Sequence, residues 1–198
     1  MKYYIKNALF GFAYLVLMDL MSILVIFIGS AVWKAIVAFI SILFYCFVIG
    51  TVYFKEGETA FDILRGNDIQ RRKMVETGKL TEIDTVKEYK PYKGFIIGAL
   101  ICAPLVFILL LHLIIGLASG GTLNGAGIVA TFAYFMFFTP INAFYTETLA
   151  FADYFIILYA LAVTSLVTGI SYILGAKKSQ RKYDMIERKH REIYGDEN

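Results

Sequence analysis

The chain has 198 residues, is 59% hydrophobic and has a mean hydropathy of +0.66, against about 45–50% apolar residues for soluble domains. Its net charge is only +3, but the charges fall in blocks: nine Lys/Arg occupy residues 55–93, seven occupy 177–191, and none lies between Lys93 and Lys177. So long a stretch without Lys or Arg excludes an ordinary water-soluble fold and points to the bilayer as solvent, and membrane orientation explains both basic clusters more simply than nucleic-acid binding, which is not expected.

In chain order, Lys2 and Lys6 precede an apolar run from Leu9 to Gly29. That run exceeds the roughly 7–15 apolar residues of a signal peptide, and a second apolar segment follows almost at once, so it reads as an uncleaved first span. A crossing needs roughly 20 apolar residues, which segments 8–29, 32–54, 94–118 and 153–175 supply. Segment 123–139 is shorter, contains Gly125, Gly127 and Thr131, and ends at Pro140. If it crossed fully, loop 140–152 would be cytoplasmic without a positive charge and the basic tail would lie outside. Treating 119–152 as an external, interfacial or re-entrant excursion removes both conflicts. The expected architecture is therefore an all-α integral membrane protein, a four-span helical bundle with a re-entrant or interfacial segment and short cytoplasmic helices. Residues 1–54 form a first transmembrane hairpin, 55–93 a charged cytoplasmic loop, 94–175 a second hairpin and 176–198 a basic tail helix. Both termini face the cytoplasm, and the plasma membrane is the expected location.

Within the loop, Glu58 to Arg65 reads as a short interfacial helix ended by Gly66. Asn67 reads as the N-cap of a second helix stopped by Gly78, and Thr81 to Asp84 as a weak capping box for a third. Arg71, Arg72 and Lys73 are expected at anionic headgroups or simply in solvent. The tail repeats Tyr183, Ile186, His190 and Ile193 at helical spacing. With Lys177, Lys178, Arg181 and Lys182 it is either a docking helix for a cytoplasmic partner or anionic lipid, or an idle topogenic flank.

Intramembrane charge is costly and points to function. Asp19 lies about eleven residues into span one, near the midplane, with Ser41, Thr164 and Ser165 at similar depth on spans two and four. This group is a candidate intramembrane polar site for proton, cation or solute coupling; the structural alternative is a hydrogen bond between helices. His112, Glu147 and Asp153 form a candidate external polar site, but one histidine without a partner at ligand spacing does not make a metal site. Tyr3, Tyr4, Tyr53, Tyr89 and Tyr92 fall at the inner interface and Trp33 and Tyr154 at the outer one. Tyr14, Tyr45 and Tyr159 lie deeper and require polar partners. Cys46 and Cys102 share a depth but suggest no disulfide.

Gly94, Gly98 and Cys102 repeat at four-residue spacing, as do Ala160, Thr164 and Thr168. These stripes suit close helix packing, either within the chain or between copies in a homo-oligomer or a larger membrane complex. Pro104 is expected to kink span three. Ala13-Tyr14-Leu15 followed by Asp19-Leu20 resembles the first span of RDD-type membrane proteins over one helix, but the arginine-rich entry of that family is missing and the chain is not assigned to it. No catalytic or nucleotide-binding motif occurs, so neither an enzyme nor a cofactor is expected. The expected function is small-solute or ion transport, directly or as a transporter subunit, with Asp19 in the path. The alternative is a non-catalytic scaffold or regulator that docks a cytoplasmic partner through residues 55–93 and 177–193.

Overall fold

The computed structural model describes residues 2–23, 28–79, 83–118 and 156–195, and these are helical apart from short connections. Four helices occur among the described residues: α1 Lys2–Ile23, α2 Ala31–Thr77, α3 Lys93–Ala118 and α4 Ile156–Tyr194. By length and composition, α2 over Val32–Thr77 and α4 over Leu158–Tyr194 are apolar and long enough to cross a membrane. Segment 119–152 lies outside the described residues, as does Thr81.

The contacts give each helix a direction. Tyr3 and Asn7 of α1 meet Glu56 of α2, and the Tyr53 hydroxyl donates to the Asn7 carbonyl at 2.8 Å, so α1 and α2 are antiparallel. Gly94, Gly98 and Cys102 of α3 meet Tyr172, Ser165 and Ala160 of α4 in that order, so this pair is antiparallel too. Along α2, Gly50 faces Val167 and Ser171, Gly57 faces Tyr172 and Glu58 pairs with Lys178, which makes α2 and α4 parallel. The helices therefore alternate up and down. The start of α1, the middle of α2, the start of α3 and Tyr172–Gly175 of α4 lie at one level.

Above that level the bundle is apolar on both sides. Its core contains Leu15, Met18, Tyr45, Ile49, Tyr53, Ile97, Ile101 and Leu105. Its outer surface exposes Leu9, Phe10 and Leu17 of α1, Phe39, Leu43 and Phe47 of α2, Phe107 and Ile114 of α3, and Leu158 and Leu166 of α4.

The two stripes of small residues turn out to face each other. A Cβ on Gly94 would fall 2.9 Å from the Gly169 Cα, and one on Gly98 would fall 2.6 Å from the Ser165 Cα, closer than real Cβ contacts. Cys102 donates its thiol to the Ala160 carbonyl at 3.6 Å, and Thr168 donates to the Gly94 carbonyl at 2.9 Å. Backbone approach of this kind is what small-residue stripes allow, and here it joins α3 to α4 within one chain. α3 continues through Pro104 as one helix.

Below the level the structure departs from the expected short helices. Residues 58–65 and 67–77 belong to one unbroken helix, since α2 runs 47 residues, about 70 Å at 1.5 Å per residue. Likewise Lys177 to Glu192 continues the helix of the fourth apolar segment rather than starting a new one. Gly66, the expected stop, lies inside α2; an interior glycine costs about 1 kcal/mol against alanine, which tertiary contacts readily outweigh. The contacts come from α4: a Cβ on Gly57 would lie 2.8 Å from the Tyr172 carbonyl carbon, and one on Gly175 would lie 2.8 Å from the Phe54 carbonyl carbon. Beyond this crossing Ser179 donates to Asp62, Arg65 pairs with Glu187, and the Arg65 guanidinium stacks 4.6 Å over the Tyr183 ring. Each helix thus continues for roughly 30 Å past the bundle, and the two run side by side as a stalk as far as Arg65 and Glu187. Gly78 does stop α2, in a left-handed conformation (φ 68°) that suits glycine, with its N–H donating to the Met74 carbonyl at 2.8 Å.

Candidate functional site

The polar side chains concentrate where bundle and stalk meet. The chain segment leading into α3 lies against α2, anchored by the Tyr89 N–H donating to the Ala60 carbonyl at 3.0 Å. Tyr89 then stacks on Tyr172 of α4, with ring centroids 5.5 Å apart. Lys93, the last Lys or Arg before Lys177, is only 1% exposed and donates its Nζ to the Val86 and Glu88 carbonyls. It also sits 5.4 Å over the Tyr3 ring. Burial pushes the Lys93 ammonium below the usual lysine range, because the charged form loses water. The Glu88 side chain, also buried, accepts from Asn67 at 2.8 Å and from Arg71. On the far side, Glu56 accepts from the Tyr3 hydroxyl at 2.6 Å and from Asn7 at 3.3 Å. Burial and then the Glu56 hydrogen bond push the Tyr3 phenol upward.

This collar bears on two sequence readings. Asn67 is not an N-cap; it is a buried residue within α2 whose amide bridges the Asp84 carbonyl at 3.1 Å and the Glu88 carboxylate. Arg71, whose side chain stays 41% exposed, is also held by Glu88 and by Asp68 at 2.6 Å. Its neighbours Arg72 and Lys73 are exposed. The sequence signal for the collar is Lys93 itself: a cation at the edge of an apolar span, five residues after a glutamate, needs local acceptors.

Beside the collar, α2 and α4 enclose a groove of about 800 Å³. Phe54, Glu58 and Asp62 line it from α2, and Leu174, Lys177, Lys178, Ser179, Arg181, Lys182 and Met185 from α4. Lys178 pairs with Glu58 at 2.7 Å and lies 5.3 Å over the Phe54 ring. Lys177, Arg181 and Lys182 are exposed and form no ion pair among the described residues. The structure thus gathers four of the proposed docking cations at one place. Further along the tail, Tyr183 packs under Arg65, while Ile186, His190 and Ile193 remain exposed.

Of the intramembrane candidates, Thr164 is fully buried beside the hydroxyl of the equally buried Tyr45. The Ser165 hydroxyl is buried next to it without a hydrogen-bond partner among the described residues. Ser41, one turn before Tyr45 on α2, donates to its own helix at the Val37 carbonyl, 2.9 Å away. Tyr14 packs edge-on against Phe10, and Tyr159 is partly exposed. Asp19 lies on α1 and His112 on α3, but their side chains fall outside the described residues, and Glu147 and Asp153 do so entirely. Cys46 and Cys102 are both free thiols. Among the described residues no group of three or more His, Cys, Asp or Glu side chains could hold a metal ion. No protein-family model, no curated protein and no solved structure matches this chain.

Proposed function

We propose that this chain is a four-span plasma-membrane protein, with both termini in the cytoplasm, that holds a rigid two-helix stalk on the cytoplasmic side as a docking element. The observation that carries the reading is the inside-out distribution of side chains above the collar. Tyr45, Thr164 and Thr168 are buried there while Phe39, Phe47, Phe107 and Leu158 face outward. In water those outward residues would form apolar patches far larger than monomeric proteins tolerate; in lipid they are at home. The helix directions support an even number of crossings, because α3 ends and α4 begins at the same end of the bundle, away from the charged collar. The Lys/Arg blocks all lie at the collar or beyond it, which the positive-inside rule assigns to the cytoplasm. Continuity of α2 and α4 through the collar supports the docking role, since a stalk pinned by Gly57 and Gly175 is fixed relative to the bundle.

Thiol labelling tests the topology in a Cys46→Ser/Cys102→Ser background. Cysteines at Val75 and Glu192 should react with a membrane-impermeant reagent only after the membrane is opened, and one at Trp33 should react in intact cells. Reaction of Glu192→Cys in intact cells would overturn the four-span reading. Truncation after Gly175 should release a co-purifying cytoplasmic protein while leaving the bundle in the membrane; retention of that protein would remove the docking role.

A second reading, small-solute or ion transport, is favoured by the buried hydroxyls of Tyr45, Thr164 and Ser165 in an otherwise apolar core. Flux through reconstituted protein that is lost in Asp19→Asn would support it, and the absence of flux for both proteins would remove it.

A further inference from the structure

An apolar strip on α4 runs down to the cationic groove between α2 and α4 and meets it at Leu174. On α4, Leu166, Ile170 and Leu174 are each 50% exposed and follow one another at four-residue spacing. The same helical strip continues into Lys177 and Arg181, three and seven residues beyond Leu174, with Lys178 and Lys182 beside them. The change from apolar to cationic falls at the level of the collar, where Glu56 and Lys93 mark the end of the apolar bundle. Four cations in the groove meet two carboxylates, and both carboxylates are engaged: Glu58 with Lys178 and Asp62 with Ser179. Lys177, Arg181 and Lys182 have no ion-pair partner among the described residues, and the lining keeps a formal charge of +2 directly below an exposed apolar track about 12 Å long.

We infer that this groove is a binding site for an anionic glycerophospholipid of the cytoplasmic leaflet. Its phosphate lies against Lys177, Arg181 and Lys182, and an acyl chain lies along Leu166, Ile170 and Leu174. The inference rests on the membrane reading above and adds to it a site and a ligand class. Lipid fits better than an acidic peptide because the exposed apolar strip that meets the groove at Leu174 lies on the membrane side of the charged half. A peptide arriving from the cytoplasm meets only the charged half. Occupancy sets a phosphate against the three cations and fills the groove where α2 and α4 leave the bundle, which ties the seat of the stalk to leaflet composition.

The test uses the full chain in a neutral detergent, with binding followed by native mass spectrometry. The ligands are phosphatidylglycerol, phosphatidylcholine, inorganic phosphate and a polyglutamate peptide. Phosphatidylglycerol should bind and phosphatidylcholine should not compete with it. Lys177→Gln/Arg181→Gln should weaken phosphatidylglycerol roughly thirtyfold, from about 1 kcal/mol per cation at an anionic surface. Ile170→Gln, which keeps every charge, should also weaken it. Arg188→Gln/Lys189→Gln, an equal loss of charge further along α4, should leave it within twofold. Equal binding of the two lipids, equal losses in the two charge doubles, or full competition by phosphate or polyglutamate would each overturn the lipid site. Circular dichroism of each variant separates lost binding from lost helix. If the chain fractionates with soluble protein, the membrane reading falls; if it is membrane-embedded but fails these comparisons, only the lipid site does.

Discussion

Replacing Gly98 by alanine adds one methyl group at the tightest described part of the α3–α4 contact. The new Cβ would lie 2.6 Å from the Ser165 Cα and 3.0 Å from the Thr164 carbonyl oxygen, and would also press on the Thr168 hydroxyl. The hydroxyl can rotate, but the backbone atoms move only if the helices separate. Separation would loosen the Thr168 hydrogen bond to Gly94 and the Cys102 contact with Ala160. Overpacking of this kind costs about 1–3 kcal/mol, while an alanine in a helix interior gains at most about 1 kcal/mol over glycine. The net effect should therefore be destabilising, by up to about 2 kcal/mol on the same two values. Gly66 supplies the opposite control: it too is inside a helix, but a Cβ there meets nothing within 4 Å, so Gly66→Ala should stabilise by up to about 1 kcal/mol. The assay is the temperature at which the buried Cys102 thiol becomes reactive in detergent, which should fall for Gly98→Ala and rise or hold for Gly66→Ala. If the temperature rises for Gly98→Ala, the close helix contact is wrong; if it falls for both, propensity and packing have been weighed wrongly.

Three other outcomes are expected. Glu88→Ala leaves the buried Asn67 amide short of an acceptor and Arg71 without its buried partner, and should cost about 1–3 kcal/mol, read as faster hydrogen exchange across residues 83–92. The Arg65 guanidinium holds the Glu187 carboxyl below its ordinary 4.5, so the stability this pair contributes is present above pH 4.5 and is lost as the pH falls through the lowered value. The protection of α4 amides beyond Tyr183, taken as exchange relative to the intrinsic rate at each pH, should therefore fall below about pH 4.5 in the native chain and show no such pH step in Glu187→Gln. Gly175→Leu cannot fit against the Phe54 carbonyl, so spin labels at Ile69 and Lys189 should move apart while helix content stays constant; an unchanged distance would contradict the crossing.

The sequence alone determined what depends on local composition. The apolar segments, their helical character, the charge blocks, the Gly78 stop and the two small-residue stripes are all properties of a few neighbouring residues. What each stripe faces was not local. Gly94, Gly98 and Cys102 could equally have packed against another copy, and only the tertiary structure sets them against Ala160, Thr164 and Thr168. The same holds for helix continuity: Gly66 and Asn67 read as a break because a break there costs little by propensity, and contacts with Tyr172, Lys178 and Glu187, more than a hundred residues away, override it. Burial of charge was also out of reach from sequence. Lys93 and Glu88 look like solvated residues of a basic loop, and become a buried collar only because Tyr89 ties that loop to Ala60. Charge placement follows composition, but which charges lose their water is decided by whatever packs over them.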